Sequence, residues 1–421
     1  MRGGWLACVA IAATLAGCGG DDDSSGGGTT SSAWVQTDLA GADLDGDGRN
    51  DIVTIATLQQ SFGASDGTLK IYRQTTPGTF VASTIRLGSF PWRLKIRDVN
   101  GDGAPDLLVL DVIGGSGAND DVLYLLLQDV NRRGSFLAPR VVASGLSASD
   151  FVVTDANLDI APDIVTAGVP GGGDGAAQYL QSLASRGTFQ APSLLNLAGR
   201  VQSVATGDVG GSGRLDLVAY SILDTSATAN SPGQLVVAYS TLFDAAASSA
   251  FFLTPGRVMA SNVGVNAQAI AVADVDFNTL QDIVVCFSAA SSAFAPKISV
   301  VLQRTLGQLE VVDTSLANLS GLDGFVIADI IGDARPDVAT TGSFLVGSTR
   351  RSRTNLLTPT IDGRYAQTAA IDMPVPMSRI SAIDVDGDTL TDLILLGDSN
   401  RAYVMYQSAA SRGTFSAPRL L

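Results

Sequence analysis

Histidine is absent from all 421 residues. Its absence removes Ser-His-Asp and Cys-His nucleophile systems, histidine-ligated zinc and histidine general bases together. Glutamate is almost missing as well: of 41 acidic residues, 40 are aspartate and one is Glu310. Glutamate favours helices, whereas aspartate competes with the helical backbone and suits loops, so the bias argues against an α-helical fold. The three cysteines are Cys8, Cys18 and Cys286. The folded part therefore has one thiol and no internal disulfide framework, and Cys286, in "DIVVCFSAA", reads as a small buried hydrophobe. Aromatic residues make up 6%, which offers no evident stacking platform for sugars. Cations are too few to balance the acids: the net charge is -15, which excludes a nucleic-acid-binding surface as the main business of the chain. No G-x-S-x-G elbow, P-loop or dinucleotide fingerprint occurs.

The only long apolar run is at the start, in "MRGGWLACVAIAATLAGCGG". It extends from Trp5 to Leu15 behind Arg2, well short of the roughly 20 residues that span a bilayer, and so reads as a secretory signal. The sequence Leu15-Ala16-Gly17-Cys18 resembles the bacterial lipobox. That resemblance implies removal of residues 1–17, lipidation of Cys18, and an exported protein anchored in the cell envelope by acyl chains at about 0.8 kcal/mol per buried methylene. An ordinary cleaved signal that happens to carry a cysteine is the alternative. Gly19 in place of Asp points to the outer membrane or cell surface. Residues 18–32 carry the lipidated cysteine and a polar tether, "GGDDDSSGGGTTSS", with nothing to bury.

What the chain has in abundance is one acidic loop, repeated. "DLDGDGRNDIVTIA" from Asp43 recurs as "DVNGDGAPDLLVL" from Asp98, "DANLDIAPDIVTA" from Asp155 and "DVGGSGRLDLVAY" from Asp208. It returns as "DVDFNTLQDIVVC" from Asp274, "DIIGDARPDVATT" from Asp329 and "DVDGDTLTDLILL" from Asp384. Successive copies start 55, 57, 53, 66, 55 and 55 residues apart. A period this regular signals a repeat architecture. Around each loop lie four short β-rich runs: one before it ("WRLKI"), one after it ("DIVTI"), a third ("LKIYRQ", "VLYLLLQ", "ISVVLQ", "AYVMYQ"), and a fourth beyond a turn such as "RGTFQAP". The pattern predicts seven four-stranded antiparallel meanders over residues 33–421, arranged as an all-β, seven-bladed β-propeller.

The D-x-[DN]-x-D-G-x-x-D loop and the trailing G-T-F turn resemble the FG-GAP and VCBS repeats, the propeller blades found in integrin α heads and in many exported bacterial proteins. The resemblance implies a calcium-stabilised propeller.

Residues one, three, five and nine of such a loop converge on a point and offer hard oxygen ligands. Calcium takes six to eight oxygens at about 2.3–2.6 Å in irregular geometry, so it is the expected guest, as several structural ions. Loop one offers Asp43, Asp45, Asp47 and Asp51, with the backbone carbonyl of Arg49 implied by the resemblance. Loop seven offers Asp384, Asp386, Asp388 and Asp392; loop two offers Asp98, Asn100, Asp102 and Asp106. These three keep glycine at position four and rank first. Loops three (Asp155, Asn157, Asp159, Asp163) and five (Asp274, Asp276, Asn278, Asp282) carry Leu158 and Phe277 there, a poorer turn chemistry. Loop six (Asp329, Asp333, Asp337) has Ile331 at position three and is expected to be weak. Loop four, with Gly210 and Ser212 at positions three and five, is expected to be empty. The competing reading is that these aspartates cap turns by accepting backbone N–H groups.

A rigid propeller without catalytic signatures leads to a binding or adhesion module for a protein or glycan partner, meeting the membrane through its lipid alone. Alternatives are a structural subunit of a surface assembly or a polysaccharide-active lyase or hydrolase. Among the connections between second and third runs, "FLVGSTRRSRTN" stands out. Its Arg350, Arg351 and Arg353 form a basic cluster on an acidic chain, which reads either as a solvated loop or as an anchor for an anionic partner.

Overall fold

The computed structural model describes residues 33–421 apart from 60–64, 113–119, 224–231, 241–251, 253–255, 262, 266, 289–294, 317, 348 and 398–400. The signal, Cys18 and the tether lie outside the described residues. Seven four-stranded antiparallel sheets follow one another along the chain, each a meander with neighbouring strands consecutive in sequence. They are the seven blades of a β-propeller: Ala33–Arg86, Pro91–Leu146, Asp150–Leu195, Arg200–Ser261, Ala267–Ser315, Gly321–Met373 and Met377–Leu420. No helix occurs among the described residues.

Burial runs radially through each blade. The second strands, such as Asp106–Asp111 and Asp282–Phe287, are buried along their whole length because both faces meet a neighbouring blade. That explains why they read as continuous Val/Ile/Leu runs rather than alternating ones. Fourth strands such as Thr79–Arg86 form the outer rim and are mostly exposed. Seven apolar cores result, each filled by two adjacent blades. Leu44, Ile55 and Leu69 of blade one pack with Leu107 and Val109 of blade two, for example. The seventh core closes the ring, with Leu39, Ile52 and Tyr72 of blade one against Val385, Ile394, Leu396 and Val404 of blade seven. Each such side chain, fully buried, contributes about 1.5–3 kcal/mol. Cys286 is buried and unbridged in the core shared by blades five and six, as its apolar setting predicts.

Each acidic loop joins the first strand of its blade to the second. The aspartate at loop position nine opens the second strand in all seven blades, at Asp51, Asp106, Asp163, Asp216, Asp282, Asp337 and Asp392. All seven loops thus fall on one face of the propeller.

Candidate metal centres

One hydrogen-bond scheme recurs through the loops. The position-one carboxylate accepts backbone N–H groups from positions four to six, as Asp43 does from Gly46 (2.7 Å), Asp47 (3.2 Å) and Gly48 (2.9 Å). The position-five side chain accepts the N–H of position seven, as from Arg49 to Asp47 (2.9 Å) and from Leu390 to Asp388 (2.9 Å). The buried position-nine carboxylate ties two strands. In loop seven, Asp392 Oδ2 takes the N–H of Val385 (2.9 Å) and Oδ1 that of Gln407 on the third strand (2.8 Å). To wrap around the first carboxylate, the backbone enters the left-handed region at positions four and six. Glycines supply it in loop one (Gly46 and Gly48), but Leu158 and Ile160 in loop three and Phe277 and Thr279 in loop five are held there against their Cβ sterics. Position six therefore matters as much as position four, which the sequence pattern singled out alone.

Turn capping and ligand convergence coexist. In four loops three carboxylates bring oxygens within 4.8 Å of one another: Asp43, Asp45 and Asp51; Asp274, Asp276 and Asp282; Asp329, Asp333 and Asp337; Asp384, Asp386 and Asp392. Loop six thus assembles a group despite Ile331. Asp45 Oδ1 and Asp337 Oδ1 are buried and accept no hydrogen bond, a state that costs free energy unless a cation is present. Burial lifts the carboxyls of Asp51, Asp106, Asp282, Asp337 and Asp392 to about 6 and that of Asp163 to about 7. Asp45 and Asp386 are raised by burial and by the carboxylates beside them. Oxygen-only sets of three carboxylates fit a hard divalent cation such as calcium, although an arginine also faces Asp45, Asp276 and Asp333.

The remaining predicted ligands stand differently. Asp47 pairs with the Arg49 guanidinium, and Asp388 lies outside the loop-seven triad. In loops two and three, Asn100 and Asn157 turn their amide nitrogens to Asp102 (2.7 Å) and Asp159 (2.9 Å), so each amide would have to rotate to offer oxygen to Asp98 and Asp106, or to Asp155 and Asp163. Asn278 donates to the Gln303 carbonyl (2.7 Å), and Arg304 pairs with Asp276 at 2.7 Å. Loop four is dismantled: the Tyr239 ring lies where a position-three side chain would go, 3.0 Å from any Cβ added to Gly210.

Residues 43–109, which span the first loop and the second strand of blade two, match the FG-GAP-like repeat family. That stretch is similar to an FG-GAP-like repeat. Among solved structures, the Dos1 propeller aligns at a TM-score of 0.45 and 11% identity, covering 87% of this chain and 78% of that one. The exotype rhamnogalacturonan lyase YesX aligns at 0.47 and 13%, covering 87% and 71%. No curated protein matches the chain.

A second device of these FG-GAP-like repeats was missed by sequence reasoning, although its residue recurs in plain view. The third runs end in glutamine: Gln74, Gln128, Gln181, Gln303 and Gln407, all buried. Gln407 Nε2 donates to the Thr391 carbonyl of its own loop (2.7 Å) and to the Ile330 carbonyl of loop six (2.8 Å), while its Oε1 accepts from Gly413 in the G-T-F turn (2.8 Å). Gln74 makes the same three contacts, reaching Val385 in blade seven across the ring closure (2.7 Å). Gln181 and Gln303 repeat the scheme. This latch ties loops two, four, six and seven to the next blade, so the candidate metal centres of loops six and seven belong to the interfaces between blades as well as to their hairpins.

The basic cluster needs a correction. "FLVGSTRRSRTN" is not a loop but the end of a β-hairpin, Asp337–Val346 paired with Thr349–Pro359, with Leu345 opposite Arg350 and Val346 opposite Thr349. Arg351 and Arg353, two apart on the strand, share one face: Arg351 is exposed, while Arg353 pairs with Asp372 at 2.6 Å and lies 4.2 Å from the Phe344 ring centre.

Proposed function

We propose that this protein is an envelope-anchored, calcium-stabilised propeller that acts as a non-catalytic binding module for a protein or glycan partner. The hairpin of blade six carries the reading. All second strands start flush at their position-nine aspartates, and those of blades two, five and seven run 6 residues, that of blade three 5. The second strand of blade six runs 10, longer than these and close to the 9 of blade one, so its hairpin reaches beyond most of the others on the face opposite the acidic loops. Its end presents Leu345 and Val346, 61% and 50% exposed, beside Arg351. An apolar tip with an adjacent cation on a rigid base is an anchor for an anionic, partly apolar surface.

Calcium holds the frame rather than the partner, because the acidic loops lie on the other face. The Cys18 lipid ties the propeller to the envelope through the tether, and the protein has no role with nucleic acid. Leu345→Ser with Arg351→Ser, compared with the parent in pull-downs from intact envelopes and on glycan arrays, tests the reading. Loss of partner capture with an unchanged melting temperature is expected; full capture by the double variant would refute it. Mass spectrometry of the mature N-terminus tests the anchor, and an unmodified residue 18 would overturn it.

A further inference from the structure

Blade four departs from the repeat at four places at once. Gly210 and Ser212 replace loop carboxylates, Ser240 replaces the latch glutamine, and Leu306 of blade five replaces the arginine that other G-T-F turns lay over the preceding loop. Arg133 sits over Gly46 and Arg412 over Gly332 in that way, whereas Leu306 only grazes Gly211 at 3.5 Å from an added Cβ. Three of these exchanges, at Gly210, Ser212 and Leu306, shorten or remove a side chain between blades four and five, where Gln303 still reaches the Val209 carbonyl (2.9 Å). The result is a cavity of about 340 Å³ between blades four and five, on the face of the acidic loops, lined by Ser212, Asp216, Tyr239, Ser240, Arg257 and Leu306.

The lining is chemically specific. Arg257 is exposed and forms no ion pair among the described residues. Ser240 Oγ is buried and lies beside the Asp216 carboxylate, on which its hydroxyl acts. Asp216 accepts one N–H on each oxygen, from Ser240 (2.8 Å) and Gly210 (2.7 Å), and a carboxylate with about four acceptor sites has room for a ligand hydroxyl. The Tyr239 ring supplies an apolar wall. We propose that this cavity binds a small hydroxylated carboxylate, a single-ring sugar acid in size, with its anionic group on Arg257 and its hydroxyls on Asp216 and Ser240. The volume lies at the lower end of the range of small-molecule sites, which suits one ring and excludes a chain.

Calorimetric titration of the calcium-loaded protein with D-glucuronate and, separately, D-glucose tests this. Glucuronate is expected to bind with millimolar or better affinity and about tenfold more tightly than glucose, and Arg257→Gln to weaken it by about tenfold, which corresponds to about 1.4 kcal/mol. Ser212→Phe fills the cavity from the loop and is expected to abolish binding while the melting temperature holds. No heat of binding from glucuronate, equal affinity for glucose, or undiminished binding by a folded Ser212→Phe variant would each overturn the proposal. Should Ser212→Phe fail to fold, Arg257→Gln remains the test, and undiminished binding there overturns the proposal equally.

Discussion

Blades seven and four share one repeat pattern and differ in what holds them. In blade seven the loop gathers Asp384, Asp386 and Asp392 within 4.8 Å, and Gln407 bridges to blade six. Blade four retains only Asp208 and Asp216 of the loop carboxylates, and a serine stands at the latch. Yet both keep the same strand order and the same buried second strand. Apolar burial between blades therefore suffices to form a blade, and the loops and latches add strength to an interface that already exists. The difference also separates two jobs that the same residues perform. Asp216 still organises its hairpin by accepting backbone N–H groups although its metal-binding neighbours are gone.

The comparison breaks most visibly when calcium is removed. Each centre filled at a hundred times its dissociation constant adds about 2.7 kcal/mol, so excess calcium should raise the melting temperature far above that in chelator. Asp45→Ala and Asp386→Ala should each lower the bound calcium per molecule, and Asp208→Ala should not. Equal melting temperatures, or equal calcium loss for Asp208→Ala, would contradict the picture.

pH sharpens the same contrast. Six position-nine carboxyls, all but Asp216, are held at about 6 to 7 by burial, above the ordinary 3.8, so in chelator they contribute stability that is full below about 4 and is lost as pH rises through 6 to 7. A bound cation selects the ionised form and reverses the sign. The gap between calcium-loaded and chelated melting temperatures should widen from pH 5 to pH 8, and a constant gap would rule out these carboxylates as ligands.

Next in size is the latch. Gln407→Ala removes three hydrogen bonds and strands the carbonyls of Ile330 and Thr391, a loss of about 2–4 kcal/mol in denaturant unfolding. Ser240→Ala at the equivalent place has no latch to lose and should cost well under about 1 kcal/mol. Similar losses at both positions would show that the latch does not carry load between blades.

The smallest effect concerns backbone strain. Ile160, 82% exposed with φ of 68°, is a β-branched residue in the left-handed region. Ile160→Gly should stabilise by about 1 kcal/mol, measured as a shift in urea midpoint, whereas Gly48→Ala in loop one should destabilise by a similar amount. No change at either site would mean that the loops relax freely.

The seven-fold period, the four strands per unit and the placement of every acidic loop between first and second strands were legible in the sequence. Each is a local pattern: apolar run, turn, apolar run, repeated at nearly constant spacing. The glutamines were legible too, as letters ending "LKIYRQ" and "AYVMYQ", but not as latches. Gln74 bonds Val385 from 311 residues away, and no spacing along the chain announces that contact. The arginines of blade six looked like a loop cluster because they are neighbours in sequence; strand pairing instead sets Arg351 and Arg353 on one face, beside Asp372. Which three oxygens of four approach one another, which blade covers which loop, and where a missing side chain leaves a cavity all depend on the angle between sheets. Local sequence sets the strands and turns, but that angle arises only when seven apolar faces pack against one another and close the ring.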